Sequence, residues 1–306
     1  MNSRIIDISS GPARLSVQNS QLVIALEDNK STVPIEDTAI VLLNHPGVSL
    51  TGAVLTALPE NKVAIVHCGS NQMPVSLTLP YQGNTLQGER LRQQLGLSRP
   101  FRKRLWQRLV QTKIRMQAAT LDALNIPSAN IRHMARHVKS GDEKNHEAQA
   151  AQRYWPLLMG RGFRRDRNGL PPNNLLNFGY AVMRSAVARA ICLSGLNPGI
   201  GLFHQSRSNS FPLADDLMEV WRPVIDWRVH QLVTTEQNIT ELDKQTKQKL
   251  LSVFYESVSF GTESLPLLLA IQRMVTSVAL SFEQNGDGLI LPSGLTSQAD
   301  FLVSEQ

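Results

Sequence analysis

One change of hydrophobic period constrains this chain more than any other feature. Up to about residue 80, apolar residues come in short β-type runs, at 4–8, 13–17, 21–26, 38–44, 62–68 and 75–80. Turn-forming residues such as Asn19-Ser20 and Glu27-Asp28-Asn29-Lys30 separate them, the pattern of short strands joined by tight connections. A single short helix is expected at 50–58. After Pro80-Tyr81-Gln82-Gly83-Asn84 the period becomes helical and stays so. Helices are expected at 101–124, 128–138, 142–159, 174–193, 212–233, 241–258 and 265–282. The chain therefore reads as α+β. A small β-rich domain at 1–80 is joined by a linker at 81–100 to a larger all-α domain at 101–306.

With 306 residues, 42% of them hydrophobic and 18% charged, there is enough apolar material for two cores and too little charge for disorder. Residues 1–20 are repeatedly interrupted by polar side chains, so no secretory leader is expected, and no apolar run is long enough for a bilayer. Cys68 and Cys192 lie far apart in apolar settings, as reduced core residues of a cytoplasmic protein would.

The net charge of +6 is unevenly placed. Between Glu89 and Arg167 there are 18 Lys or Arg against 6 Asp or Glu. Arg102, Lys103, Arg104, Arg108, Lys113 and Arg115 crowd one predicted helix, with Arg104, Arg108 and Arg115 along one face. Arg161, Arg164, Arg165 and Arg167 follow the next long helix but one. A regional excess of this kind attracts a polyanion through phosphate neutralisation, so double-stranded DNA is the expected partner. A solvated helix face is the plainer alternative for any one run. Phe101 and Trp106 lie among these charges and read as core anchors.

The acidic residues are fewer and more pointed. His204 stands just ahead of a helix whose start, Ser210 and Pro212, is followed by Asp215, Asp216 and Glu219. Glu219 is three residues from Asp216 and four from Asp215, so like charges meet on one face unless a cation relieves them. Glu147, on the helix at 142–159, borders the apolar stripe of Ala148, Ala151, Trp155 and Leu158 and needs a cation, a basic partner or a proton there. Carboxylates with a neutral imidazole suit Mg2+ or Mn2+. A dipole-favoured acidic first turn and an Arg-paired boundary Glu are the bland readings of the same residues. His133 and His137, four apart on a basic helix, read as surface or DNA-facing residues.

Together these segments resemble a known family, the CRISPR-associated integrase that inserts new spacers during adaptation, and most closely its type II form. The resemblance begins at Val33-Pro34-Ile35-Glu36-Asp37, continues through Thr38-Ala39-Ile40-Val41-Leu42-Leu43, and is carried on by Ser49-Leu50-Thr51 and by residues 62–68. It resumes at Glu147-Ala148-Gln149-Ala150-Ala151-Gln152-Arg153-Tyr154-Trp155 and at Asn173-Asn174-Leu175-Leu176-Asn177-Phe178-Gly179-Tyr180. The His204 and Asp216/Glu219 segments complete it. By position, the resemblance implies Glu147, His204 and Glu219 as catalytic metal ligands for Mg2+ or Mn2+, with Asp216 as supporting acid. Asn173 falls on the family's helix-start Asn, although Leu170 stands where an Asp often precedes it. The implied activity is joining of the 3′-OH ends of short DNA fragments to repeat DNA by transesterification, with hydrolysis at the same site. Arg161, Arg164, Arg165, Arg102, Lys103 and Arg108 are the candidates for holding DNA backbone. The resemblance also implies a homodimer formed largely through the β domain, a small ferredoxin-like adaptation subunit, and the RNA-guided effector nuclease as partners. A basic DNA-binding scaffold without catalysis, or a hydrolase of another phosphoester, would share the charge pattern but not the ion-dependent joining.

Overall fold

The structure is a computed structural model that describes residues 4–27, 29–166, 168–204, 207–235, 239, 241–283 and 288–296. Its N-terminal part holds β1 (Arg4–Ile8), β2 (Ala13–Gln18), β3 (Gln21–Ala25), β4 (Lys30–Pro34), β5 (Thr38–Leu43), β6 (Val48–Leu50), α1 (Gly52–Glu60), β7 (Ala64–Cys68) and β8 (Pro74–Thr78). The strands form two sheets, ordered β4-β3-β2-β6 and β1-β5-β7-β8. In the second sheet β5 runs parallel to both β1 and β7. The short strands β4 and β6 were not foreseen; Lys30, Ser31 and Thr32 are too polar to mark a strand alone, and pairing with β3 supplies the missing support.

Strand β5 is buried along its whole length. Because successive side chains point to opposite faces, Val41 and Leu43 enter the core shared with the first sheet and α1, while Ile40 and Leu42 enter the core shared with the helices. Strand β7 divides in the same way, with Ile65 on one side and Ala64 and Val66 on the other. One sheet thus serves two cores.

The helical part holds α2 (Gln87–Gly96), α3 (Arg99–Ala123), α4 (Ala129–Ala135), α5 (His146–Met159), α6 (Asn173–Leu193), α7 (Pro212–Met218), α8 (Arg222–Thr235), α9 (Lys244–Leu251), β9 (Ser257–Phe260), β10 (Glu263–Pro266), α10 (Leu267–Glu283) and β11 (Pro292–Leu295). Long α3 is the central beam, with Phe101, Trp106, Leu109 and Ile114 buried as core anchors. Segment 81–100, expected as a linker, contains α2 and is fastened down. Arg90 donates to the Ser194 carbonyl at 2.8 Å, and Gln94 donates to the carbonyls of Asn197 and Ile200.

Three further expectations are corrected. The helix expected over 212–233 breaks into α7 and α8, because Pro223 has no amide to give and its ring would strike the carbonyl of Glu219, four residues back. The helix expected over 241–258 stops at Leu251, passes through a short 3-10 turn and becomes β9. That strand sits between β10 and β11 in a small antiparallel sheet, so the second part is helical but not all-α. Ser257-Val258-Ser259-Phe260 alternates as a strand should, but four residues are too few to outweigh the helical pattern before them. Cys68 and Cys192 are free thiols, each pushed up to about 11 chiefly by burial. Among the described residues no helix is long and apolar enough to cross a membrane.

Candidate functional site

Glu147 is placed by the turn before it. Helix α5 starts at His146, not at Asp142, and Asp142 caps it from outside. Its carboxylate accepts the amides of His146 and Glu147, both at 2.9 Å, and the Asn145 side chain accepts the Ala148 amide at 3.4 Å. These bonds satisfy donors that a helix start leaves open. Glu147 then leaves the first turn of α5 towards α3.

What it meets there is Lys113. Along α3 the core positions Trp106, Leu109, Val110, Ile114 and Gln117 surround residue 113, so its ammonium lies inside with a side chain only 11% exposed. Lys113 Nζ stands 2.5 Å from Glu147 Oε1 and 2.5 Å from Glu219 Oε2. One cation joins carboxylates 72 residues apart in the chain. Burial pulls the Lys113 ammonium down, but the charges of Glu219 and Glu147 outweigh it and hold its pKa above the ordinary value.

Glu219 occupies the break between α7 and α8, where the chain turns towards α3. Its other oxygen lies 2.9 Å from Arg222 Nε. Burial raises the Glu219 pKa, yet Arg222, Lys113 and His204 together lower it below the usual carboxylate range. Arg222 in turn lies 4.8 Å above the Tyr180 ring.

His204 is held by Asp216. The carboxylate accepts from His204 Nδ1 at 2.6 Å and from the amides of Leu202 and Phe203 at 2.6 and 3.0 Å. One buried acid thus fixes the ring and the loop that bears it, and among the described residues Nε2 has no hydrogen-bond partner. The Asp216 hydrogen bond raises the imidazole pKa against the opposing effect of burial, and the charges of Asp216, Glu219 and Glu147 add to the rise. The neighbouring Asp215 faces away, bound by Arg184 Nε at 2.6 Å and by Asn209 at 2.7 Å. The crowding expected among Asp215, Asp216 and Glu219 is relieved by giving each acid its own partner. Ser210 does not cap α7; Phe211 holds the cap position without a side-chain bond.

Asn173 organises the arginine loop. Its side-chain oxygen accepts from Arg165 at 3.0 Å and from the Asp166 amide at 2.9 Å, and its amide donates to the Arg164 carbonyl at 3.0 Å. Arg165 also reaches Asn177 at 2.6 Å, so it is engaged within the protein, while Arg161 and Arg164 point outward. Arg108 donates to the Leu289 carbonyl at 3.1 Å, Arg102 to the Gln94 carbonyl at 3.3 Å, and Lys103 to exposed Glu143 at 2.8 Å. Arg167 and the chain end at 304–306 lie outside the described residues. His133, His137 and His146 form a row of rings, with centroids 4.5 and 6.5 Å apart; the first two are exposed, and His146 is half-buried against Asp142.

Sequence reasoning missed two features beneath the site. One is Lys113, counted with the basic run although it lies off the face of Arg104, Arg108 and Arg115. The other is Asp226, 1% exposed, which accepts from Tyr154 at 3.1 Å and from Tyr180. Burial pushes the Asp226 carboxyl up to about 7 despite both phenols.

Among the described residues, no three His, Cys, Asp or Glu side chains are grouped so that they could hold a metal ion. Glu147 and Glu219 instead close on the protein's own ammonium. The pair nevertheless fits a hard cation, since both acids already converge on one positive centre and His204 lies in their field with Nε2 unengaged.

The family model described as CRISPR associated protein Cas1 matches residues 7–255. A CRISPR-associated endonuclease Cas1 of Neisseria meningitidis serogroup C (strain 8013) is 36% identical over 95% of this chain and 96% of its own length. Among solved structures, a casposase bound to integration product superposes with a TM-score of 0.77 at 18% identity, covering 94% of this chain and 92% of that one. A Cas6-RT-Cas1–Cas2 complex superposes at 0.70 and 14% identity, covering 97% of this chain and 36% of its own.

Proposed function

The chain belongs to the CRISPR-associated Cas1 family, and from that premise we propose that it is a metal-dependent DNA integrase and endonuclease of CRISPR adaptation. The reaction is attack by the 3′-OH of a short DNA fragment on a phosphodiester of repeat DNA. A new P–O bond forms, the P–O bond to the displaced strand breaks, the attacking hydroxyl loses its proton, and the oxygen of the displaced strand gains one. Water in place of the hydroxyl gives hydrolysis. The observation that carries the reading is the convergence of Glu147 and Glu219 on one cationic centre beside His204.

Glu147, Glu219 and His204 Nε2 would hold Mg2+ or Mn2+, which supplies charge stabilisation at the phosphorus and eases deprotonation of the attacking hydroxyl. Asp216 does its work before any substrate arrives, by keeping Nδ1 occupied and the ring aimed. Arg222 keeps Glu219 ionised, which cation binding needs. Lys113 balances the two acids when no other cation is present. Outward-facing Arg161 and Arg164, with Arg102 and Lys103 beside the His204 loop, lie where DNA backbone could be held. A second copy of the chain, a small ferredoxin-like adaptation subunit and the RNA-guided effector nuclease are the partners this reading implies. The Cas1–Cas2 assembly among the superposed structures supports the second of these.

The test is replacement of Glu147, His204 or Glu219 by Ala, followed by joining of a labelled fragment to repeat DNA in Mg2+ or Mn2+. Joining should fall by at least about 100-fold, the cost of removing a charge-stabilising group from a reacting centre, while duplex binding persists. Undiminished joining in any of the three variants overturns the site.

A further inference from the structure

Phe203 is out of place by its exposure. It follows buried Leu202 in a loop pinned by Asp216, yet 48% of it faces outward. Its ring is not loose. It lies flat on the indole of Trp106, with centroids 4.4 Å apart and planes within 2° of parallel. Trp106 is 1% exposed and packed in the core side of α3, so it is a firm support. The stacked pair meets the His204 imidazole edge-on, at 5.7 Å from Phe203 and 5.6 Å from Trp106. Beyond the ring opens a cleft of about 520 Å³ lined by Leu97, Arg99, Arg102, Lys103 and Leu202.

We propose that Phe203 is a stacking platform for the unpaired nucleobase at the 3′ end of a DNA strand, with the basic cleft taking the adjoining phosphate. This rests on the DNA-joining reading above. An aromatic ring with one face already covered by a buried indole is pre-ordered, so a second planar group can stack on it without first freezing it. Every nucleobase has a face to offer, and such stacking tolerates any sequence. A duplex interior has its base faces covered by neighbours, so an unpaired or terminal base fits better. The rim is cationic: Arg99 is exposed, and Lys103 pairs with exposed Glu143, a pairing that a phosphate can replace. The step from ring to imidazole is one residue, which sets the stacked nucleotide beside the reacting phosphate.

The test uses the full chain and a short DNA duplex with single-stranded 3′ overhangs, carrying 2-aminopurine as the last nucleotide, whose fluorescence is quenched by stacking. The wild type should quench it on binding, and Glu147→Ala should quench it equally. Phe203→Ala should lose most of the quench and bind the overhang DNA about 5- to 100-fold more weakly, the cost of one lost base–aromatic stack. Phe203→Trp should retain both, which separates stacking from damage to the loop. Blunt duplex should bind all four proteins alike. Arg99→Gln and Lys103→Gln should each lower the salt dependence of overhang binding by about one counterion. Unchanged quenching and affinity in Phe203→Ala overturns the platform, as does a wild type that never quenches. If quenching depends on Phe203 but the wild type joins no fragments, the platform stands and the integrase reading falls. If joining is intact and quenching absent, the reverse holds.

Discussion

The two halves of this molecule bury different things. Among the described residues up to position 80, the buried polar side chains are Thr38 and Asn44, both neutral. Beyond that point Arg90, Asp142, Arg189, Asp216, Glu219, Asp226 and Lys247 are all buried. Burying charge costs several kcal/mol per ion unless partners compensate, so a fold accumulates it only where chemistry or rigid positioning needs it. In the sheets, stability comes from apolar area. In the helices, part of that stability is exchanged for an electrostatic arrangement.

The comparison can be broken most sharply at Lys113. Lys113→Ala leaves Glu147 and Glu219 without their shared cation and should cost about 3–5 kcal/mol in urea unfolding with chelator present. Mg2+ or Mn2+ should return a good part of that loss. An equal loss with and without the ion would mean that the two acids do not form a cation site. Next comes the apolar counterpart. Leu42→Ala, in the buried central strand, should cost about 2–5 kcal/mol and be indifferent to divalent ions, as a purely packed region requires.

Asp226 sharpens the contrast through pH. Its carboxyl is raised from 3.8 to about 7 when folded, so the native state keeps a proton that the unfolded chain releases. Its contribution is therefore intact below about pH 4 and declines as pH rises towards 7, by up to about 1.4 kcal/mol per unit. Asp226→Asn keeps an acceptor for the tyrosines, so thermal unfolding between pH 4 and 7 should show a correspondingly smaller decline. A slope identical to the wild type would show that this carboxyl titrates normally. The smallest effect belongs to the surface. Arg273 and Glu263 pair with about half of each side chain exposed, and Arg273→Ala should change stability by no more than about 0.5 kcal/mol.

How much of this was legible depended on the range of the signal. The run from Thr38 to Leu43 announced a buried strand. Glu147 stood out because a carboxylate beside an apolar stripe asks for a partner, and Asp216 and Glu219 because like charges three apart on one helix face ask for a cation. The break at Glu219 was also written locally, in Pro223 four residues later, but the helical period on either side masked it. Lys113 was harder. Its helical neighbours show that it faces inward, yet its partners lie 34 and 106 residues away, and pairings over such distances leave no trace in spacing. Likewise Phe203 reads as one apolar residue in a loop until Trp106, almost a hundred residues earlier, comes to lie beneath it. The short strands β4, β6 and β9 were lost because each depends on a neighbour for its hydrogen bonds and carries little pattern of its own.

The division of β5, with Val41 and Leu43 turned one way and Ile40 and Leu42 the other, ties the halves together through one shared strand. Severed near residue 80, the helical portion would keep a greasy wall where Ile40 and Leu42 had lain, and the sheets would lose the covering that makes their back face dry. Neither piece is a module to be lent elsewhere. The chain should melt as a single block.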